Sequence, residues 1–147
     1  MQIIKQDITK IDNGVICHGV NCQGVMGSGV AKSIRDKWPV VYSEFKNNGT
    51  GRIMLGTSQI VEIEHGSLYI ANCYTQEFYG RERKRYASVS AIQTALDEVL
   101  RFAVPKGLKV YSPMIGCGLG GLTWGEVKSV YSVLEQTHKI SITVCTL

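Results

Sequence analysis

Two glycine-rich segments constrain the fold of this chain more than any other feature, because each lies between an apolar run and a helical pattern. The first lies within residues 15–38, where an apolar run leads into four glycines and then into a helical pattern. The second lies within residues 108–136. In α/β proteins, a glycine loop between a strand and a helix lets an anion approach the backbone N–H groups of the helix N-terminus. The two segments therefore predict an α/β fold with an anion site.

The remaining periodicities predict an alternation of strands and helices. Residues 89–102 carry the clearest helical spacing, with Ser88 or Ser90 near the start, and Thr123 is placed to cap the helix over 124–136. Trp38-Pro39 separates two shorter helices. The order ββααββαβαβ predicts a three-layer α/β/α fold, with helices on both faces of a mixed, mostly parallel sheet of about six strands. The predicted strands are 2–8, 15–17, 58–64, 68–74, 108–112 and 140–147, and the predicted helices are 30–38, 40–46, 89–102 and 124–136.

Neither glycine loop carries a common nucleotide motif in its usual context. A Walker A loop requires Lys directly after its last glycine, whereas Val30 follows Gly29. The glycines of the segment 116–121 have the spacing of a dinucleotide-binding loop, but only one strand follows the segment, which excludes a second βαβ unit. A turn without chemical role remains an alternative for the first loop.

The two glycine loops can also act together. If the two preceding strands are neighbours, both loops flank one crevice at the carboxyl edge of the sheet, which suits a diphosphate.

Length and composition favour one small domain in a reducing compartment. The 147 residues fit a single domain over 1–147, and the net charge of +4 is compatible with an anionic ligand but is too small to indicate nucleic acid alone. Five cysteines, mostly in apolar runs, favour reduced thiols. The first ten residues lack the features of a signal peptide, and no apolar run is long enough to span a membrane. We expect a cytoplasmic protein, monomeric by default, with no membrane partner.

Two clusters of reactive or charged residues also need an interpretation. Cys17, His18 and Cys22 lack a second ligand pair, and adjacent strand residues point to opposite faces, so no metal site is expected. The basic run from Arg81 to Arg85 is more simply a solvated loop, with a nucleic-acid contact as the alternative.

At four places the sequence resembles the macrodomain family, whose members bind ADP-ribose. Asp7-Ile8 resembles the adenine-binding pair after the first strand, and 20–31 resembles the ribose-binding Asn and first phosphate loop. The segment 113–121 resembles the second phosphate loop, and 143–147 is similar to the last strand of a compact branch. That branch includes a glutamate–ADP-ribose hydrolase, antitoxins that remove ADP-ribose from DNA, and a fungal ADP-ribose-1″-phosphate phosphatase. The resemblance covers nearly the whole chain and implies a macrodomain fold.

The resemblance implies a ligand-binding set that needs neither metal nor cofactor. A carboxylate would accept from the adenine amino group, an Asn amide would bond the ribose hydroxyls, and the glycine loops would donate N–H groups to the diphosphate. The implied ADP-ribose-binding residues are Asp7, Ile8, Asn21, Gly27, Ser28, Gly29, Val30, Thr75, Pro113, Ile115, Gly116, Cys117, Gly118, Leu119, Gly120 and Leu147.

The same resemblance argues against lysine-dependent hydrolysis. Hydrolases of the branch carry a Lys after the strand that matches 68–74, where this chain has Gln76. The glutamate hydrolase also uses an Asp at the place of Gly120, although Gly120-Gly121 is closer to the DNA antitoxins. Lys84 would have to fold back to supply the missing amine.

His18-x-x-Asn21 resembles the phosphatase member, which carries a His three residues before the ribose Asn. The expected activity is therefore hydrolysis of ADP-ribose-1″-phosphate to ADP-ribose and phosphate. His18 would act as acid, base or nucleophile, Asn21 would position the ribose, and Gln23 would help to hold the water. A structural histidine bonded to backbone is the alternative for His18. A reader of ADP-ribose without turnover, or removal of ADP-ribose from DNA or protein, is the alternative for the chain.

Overall fold

A computed structural model describes residues 1–147 and contains six strands and four α-helices. Three short 3₁₀ turns cover Ile8–Lys10, Arg52–Met54 and Val104–Lys106. The strands are β1 (Gln2–Lys5), β2 (Gly14–Asn21), β3 (Ser58–Glu64), β4 (Leu68–Gln76), β5 (Val110–Ser112) and β6 (Ile142–Thr146). The helices are α1 (Gly29–Lys37), α2 (Pro39–Asn47), α3 (Val89–Ala103) and α4 (Trp124–His138).

The strands form one mixed sheet in the order β1-β6-β5-β2-β4-β3. All neighbouring strands are parallel except β3, which pairs antiparallel with β4 at one edge. The strands β2 and β5, which precede the two glycine loops, are neighbours. Both loops therefore leave the sheet at the same carboxyl edge, as the crevice hypothesis requires.

Two separate apolar cores lie on the two faces of the sheet. On one face, α3 and α4 bury residues such as Leu96 and Tyr131 against Val15 and Cys17 of β2. On the other face, α1 and α2 bury Ile34 and Phe45 against Ile16 and Val20. Successive residues of β2 thus point alternately to the two cores. The predicted three-layer α/β/α architecture is confirmed, and no helix has the length and apolar character needed to cross a bilayer.

Two predicted strands end three or more residues away from their ends in the structure, and the other strand boundaries agree within two residues. The first predicted strand, 2–8, stops at Lys5, because the Asp7 side chain caps the following 3₁₀ turn and accepts from Thr9 N at 2.9 Å. The second, predicted over 15–17, continues to Asn21, because β4 supplies paired residues as far as Gln76. Residues 18–21, the first part of a segment that the sequence indicated as turn-rich, therefore belong to a buried central strand.

The starts of the two long helices agree with the sequence signals. Ser88 caps α3 by accepting from Ala91 N at 3.2 Å. Thr123 and Glu126 form a reciprocal capping box at the start of α4. The Glu126 carboxylate also pairs with Arg85 at 2.7 Å, and this guanidinium, followed by the Thr123 bonds, lowers the pKa of Glu126 to about 2. The end of the second glycine loop is thereby fixed to the start of its helix.

Candidate functional site

Three loops at the carboxyl edge of the sheet enclose a cleft of about 580 Å³. The first loop, residues 22–28, joins β2 to α1, and the second loop, residues 113–123, joins β5 to α4. Residues 77–87, here called the bridging loop, join β4 to α3. Residues from all three loops line the same cleft. The two glycine segments singled out in the sequence are thus brought together.

The first loop presents the N-terminus of α1 to the cleft. The Ser28 side chain makes no capping hydrogen bond, and Gly29, Val30 and Ala31 all line the cleft. The first N–H groups of an α-helix have no partner within the helix. This end of the cleft therefore offers backbone donors and the positive end of a helix dipole to an anion.

The second loop presents a further set of backbone donors. Its own turns use the amides of Ile115, Cys117, Gly121 and Leu122. Five other amides of the loop donate to no protein acceptor, and all five residues line the cleft: Met114, Gly116, Gly118, Leu119 and Gly120. Successive unpartnered N–H groups in a glycine-rich turn form a concave anion site. The cleft is therefore bordered by neutral donors on two sides.

Two glycines are required for the shape of the second loop. A Cβ on Gly120 would lie 2.7 Å from the carbonyl oxygen of Gly116, within the same loop. Gly121 has a φ of +81°, and a Cβ there would lie 2.2 Å from the carbonyl oxygen of Lys84. The absence of a side chain at Gly120 therefore permits the turn within the second loop, and its absence at Gly121 permits the close approach of this loop to the bridging loop.

The bridging loop is attached at one end to the first loop and at the other to the second. The Glu77 carbonyl accepts from Cys22 N and from the Gln23 side chain, both at 3.1 Å. The Gly120 carbonyl accepts from Tyr86 N at 2.9 Å and from Ala87 N at 3.0 Å. Between these attachments the loop passes along the cleft.

Most of the predicted ligand-binding residues line the cleft, and four do not. The loop residues and Thr75 lie in the cleft as expected, but Cys117 points away, with its thiol 3.6 Å from the Ile115 carbonyl. Asp7, Ile8 and Leu147 lie outside the cleft lining, at the ends of β1 and β6. The hydrogen bonds from Thr9 to Asp7 Oδ1 lower the pKa of this carboxyl, and its Oδ2 accepts no hydrogen bond.

Asn21 lies in the cleft, but its amide also holds the first loop. Its Oδ1 accepts from Gln23 N at 2.9 Å and from Val25 N at 3.3 Å, and its Nδ2 donates to Val25 O at 2.8 Å. Only 7% of the residue is exposed. The expected bonding to ribose hydroxyls in both directions is therefore restricted, because only one N–H of the amide is without a protein partner.

The structure contradicts the expected position of His18 beside a terminal phosphate. His18 is fully buried within β2, on the face that packs against α1 and α2, and does not line the cleft. Its Nε2 lies 2.5 Å from Oδ1 of Asn72, the residue opposite it in β4. The histidine is therefore structural, although its partner is a side chain rather than the backbone.

A chain of amides determines which ring nitrogen of His18 carries the proton. The Glu44 carbonyl accepts from Gln59 Nε2 at 2.9 Å, so Gln59 Oε1 faces Asn72 and accepts from its Nδ2 at 3.0 Å. Asn72 Oδ1 then faces His18, and an amide oxygen only accepts, so His18 Nε2 is the protonated nitrogen. Nδ1 is buried without a partner. Burial lowers the pKa of His18 to about 4, against the opposing effect of the Asn72 bond.

Gln23 also lies away from the cleft lining, because its side chain donates to Glu77 O and ties two loops together. The ionisable side chains that do line the cleft are those of Tyr79 and Arg81. Neither residue was predicted for the site, although the basic run beginning at Arg81 is a signal that points to this loop. The other lining residues outside the predicted set are Gly19, Val20, Val25, Met26, Ala31, Gln76, Gly80 and Met114.

No arrangement of His, Cys, Asp or Glu side chains in the structure has three members placed to hold a metal ion. Cys17 and Cys22 flank His18 in sequence, but Cys17 points to the α3/α4 core and Cys22 to the α1/α2 core. All five cysteines are free thiols. The polar groups that the cleft offers to a ligand are therefore its backbone donors and the few polar side chains around them.

Comparisons with known proteins agree with this architecture. The sequence profile of the Macro domain family matches residues 17–131. A Bacteroides thetaiotaomicron protein of unknown function is similar at 29% identity with a TM-score of 0.88, over 99% of this chain and 97% of that chain. A macrodomain protein from Streptomyces coelicolor is 25% identical with a TM-score of 0.80, over 99% and 98% of the two chains.

More distant structures share the fold alone. Thermosipho africanus DarTG in complex with ADP-ribose is 21% identical, with a TM-score of 0.77, over 97% of this chain and 40% of that chain. A comparison with curated protein sequences gives no significant match. The family match spans most of the chain and includes both glycine loops. This chain therefore belongs to the macrodomain family.

Proposed function

We propose that the cleft binds ADP-ribose, either free or as the ADP-ribosyl group of a modified molecule. The observation that carries this proposal is the pair of glycine loops whose unpartnered N–H groups border one cleft. A diphosphate bears charge on two linked groups, and donors on both sides of the cleft match that distribution. The Thermosipho africanus DarTG structure is in complex with ADP-ribose, and part of that chain shares the fold described here, which supports the same ligand class for this cleft.

Within this proposal, the parts of the ligand are assigned by the polar groups that remain unpaired. The diphosphate contacts the N-terminus of α1 and the amides of 116–120. The distal ribose contacts the remaining N–H of Asn21 beside Gly27 and Thr75. Asp7 follows β1 at the same sheet edge, and its Oδ2 accepts from the adenine amino group. Ile8 follows it in the chain, and Leu147 follows β6, the strand paired with β1.

Binding without turnover is the activity that the lining residues favour. A general acid or base works best with a pKa near the operating pH, and the cleft lining contains no His, Lys, Asp, Glu or Cys side chain. Gln76 lies where the related hydrolases carry Lys, and its amide donates to Phe78 O at 2.7 Å. We therefore propose a reader of ADP-ribose.

Hydrolysis of ADP-ribose-1″-phosphate is a second candidate, and Arg81 is the observation that favours it. Arg81 is the one cationic side chain of the cleft lining, and an additional terminal phosphate would match it. His18 has no part in this candidate, because the ring is buried and neutral on the far side of the strand. Water would have to be oriented by the Asn21 amide and the backbone donors alone.

Calorimetric titration separates these candidates. We expect ADP-ribose and ADP to bind and AMP to bind much more weakly, because AMP lacks the second phosphate. We also expect ADP-ribose-1″-phosphate to bind without release of phosphate. Release of phosphate at a rate unchanged in His18→Ala would support the second candidate. Absence of heat with ADP-ribose would reject the binding proposal itself.

A further inference from the structure

Tyr131, a residue of α4 that does not line the cleft, contacts the second loop from inside the core. The residue is fully buried, and its hydroxyl lies 2.5 Å from Ser112 Oγ and 3.1 Å from the Pro113 carbonyl oxygen. Its ring packs edge-on against Trp124, with 5.4 Å between the ring centres. Pro113 begins the second loop and Trp124 directly follows it, so one side chain contacts both ends of the loop.

The hydroxyls of Tyr131 and Ser112 together hold the Pro113 carbonyl. Ser112 Oγ lies 2.7 Å from this carbonyl oxygen, which also accepts from Ile115 N at 2.9 Å. Each hydroxyl has one proton to donate. Because the two hydroxyl oxygens are only 2.5 Å apart, one proton lies between them, and the other is donated to the carbonyl. Removing either hydroxyl therefore breaks the arrangement. Burial raises the pKa of Tyr131, so the phenol keeps its proton.

The fixed carbonyl also fixes the amide that follows it. Pro113 C=O and Met114 N–H belong to one trans peptide unit, in which the carbonyl and the N–H point in opposite directions. The carbonyl points into the core, toward Tyr131, so the Met114 N–H points away from the core. Met114 lines the cleft, and its amide is one of the five in the second loop without a protein acceptor. The phenol hydroxyl thus sets the direction of one donor of the cleft.

We propose that Tyr131 is a positioning residue for the diphosphate of the ligand and acts through the Pro113–Met114 peptide unit. This inference rests on the proposed function. The Tyr131 side chain touches no ligand, because it lies on the core side of the loop. Its hydroxyl holds a backbone donor in place before the ligand arrives, so binding does not have to order the start of the loop. A tyrosine that only filled the core would need its ring alone, which phenylalanine retains.

The test compares three substitutions in the whole protein. Tyr131→Phe removes the hydroxyl and keeps the ring against Trp124. Ser112→Ala breaks the same arrangement from its other member. The matched control is Tyr74→Phe, which removes an equally buried hydroxyl in the other core, where it accepts from Asn48 Nδ2 at 3.0 Å, outside the cleft lining. Calorimetry measures the affinity of each variant for ADP-ribose, and thermal melting by circular dichroism confirms that each variant is folded.

We expect Tyr131→Phe and Ser112→Ala each to weaken ADP-ribose binding by roughly 2- to 12-fold, which is the range for one hydrogen bond. The double variant should lose about as much affinity as either single variant, because both substitutions remove the same support. Tyr74→Phe should lower the melting temperature, since it leaves the Asn48 amide without its acceptor, and should bind ADP-ribose like the wild type.

NMR of protein labelled with ¹⁵N-methionine follows the proposed donor directly, because the chain has only four methionines. The amide of Met54, in a 3₁₀ turn outside the cleft lining, is the internal reference for that of Met114. We expect ADP-ribose to shift the Met114 signal of the wild type and not the Met54 signal. In Tyr131→Phe the shift of the Met114 signal at saturating ligand should be smaller, whereas in Tyr74→Phe it should equal that of the wild type.

Three results would overturn the inference while leaving the proposed function intact. These are wild-type affinity in Tyr131→Phe, equal losses of affinity in Tyr131→Phe and Tyr74→Phe, or an undiminished shift of the Met114 signal in Tyr131→Phe. If Tyr131→Phe does not fold, Ser112→Ala decides by the same three criteria. Failure of ADP-ribose to bind the wild type would instead reject the proposed function.

Discussion

His18 and Asn72 lie opposite each other in adjacent parallel strands, and a hydrogen bond of 2.5 Å joins their side chains inside the core. The bond fixes the neutral ring in one tautomer, with its second nitrogen buried and unpartnered. A residue whose sequence context resembles a catalytic histidine is thereby part of the sheet interior. Its titration affects the stability of the fold rather than the chemistry of the cleft.

Stability should fall as the pH decreases from 7 to 5. The pKa of His18 is lowered to about 4 in the folded protein, against an ordinary value of 6.5, so the unfolded chain binds more protons between these values. The free energy of unfolding therefore rises with pH across this window, by about 2 kcal/mol between pH 5 and 7. Urea denaturation at the two pH values measures the change. In His18→Gln this difference should be largely removed, and an undiminished difference would contradict the assignment.

Asn72→Ala should destabilise the protein without altering the cleft. The substitution leaves the N–H of His18 and the amide oxygen of Gln59 without their partner, which costs about 1–3 kcal/mol for a buried polar group. Asn13→Ala, at an exposed turn, is the control and should change stability little. ADP-ribose titration of Asn72→Ala should match the wild type. A large loss of affinity would mean that the network reaches the ligand.

Asn21→Asp and Asn21→Ala should weaken ADP-ribose binding for different reasons. The aspartate keeps the acceptor for Gln23 N and Val25 N but places a negative charge against the distal ribose, in the same cleft as the negatively charged diphosphate. The alanine removes all three hydrogen bonds that the Asn21 side chain makes to the first loop. We expect losses of roughly tenfold or more for each. High salt should recover part of the loss for the aspartate alone, because screening acts on the charge. Identical salt dependence in both variants would argue against a diphosphate in the cleft near Asn21.

Gly121→Ala should disturb both stability and binding. Its φ of +81° and the 2.2 Å approach of a Cβ to the Lys84 carbonyl require backbone movement. We expect a loss of at least about 2 kcal/mol in the free energy of unfolding, with weaker ADP-ribose binding because the second loop shifts. For stability the matched control is Gly118→Ala, where a Cβ meets no atom within 4 Å. Equal stability of the two variants would show that the loop tolerates the displacement.

The features that sequence alone predicted well depend on local signals. The capping residues Ser88 and Thr123 act within three positions of themselves, and the apolar spacing of residues 89–102 reports one face of one helix. The two glycine loops were recognisable because glycine at a strand-to-helix junction has a local physical reason. Element order then led to the three-layer fold.

The features that were missed depend on partners far away in the sequence. His18 was placed in a turn-rich segment that contains four glycines, whereas the strand continues, since β4 offers Asn72 beside it and Gln76 at its end. Arg81 was interpreted as solvated because a basic run carries no information about its neighbours. Its place at the cleft is set by contacts of the bridging loop with both glycine loops.

The attachment of the bridging loop by backbone groups has a consequence for protein engineering. At one end, Cys22 N donates to Glu77 O, and at the other end, Tyr86 N and Ala87 N donate to Gly120 O. Because these are backbone hydrogen bonds, they form with any residue type, except that proline cannot be a donor. Residues 78–85 can thus be exchanged as one segment, because the backbone hydrogen bonds on both sides of the segment remain. Replacing this segment should change which modified molecules the protein selects, while the donors to the diphosphate stay in place.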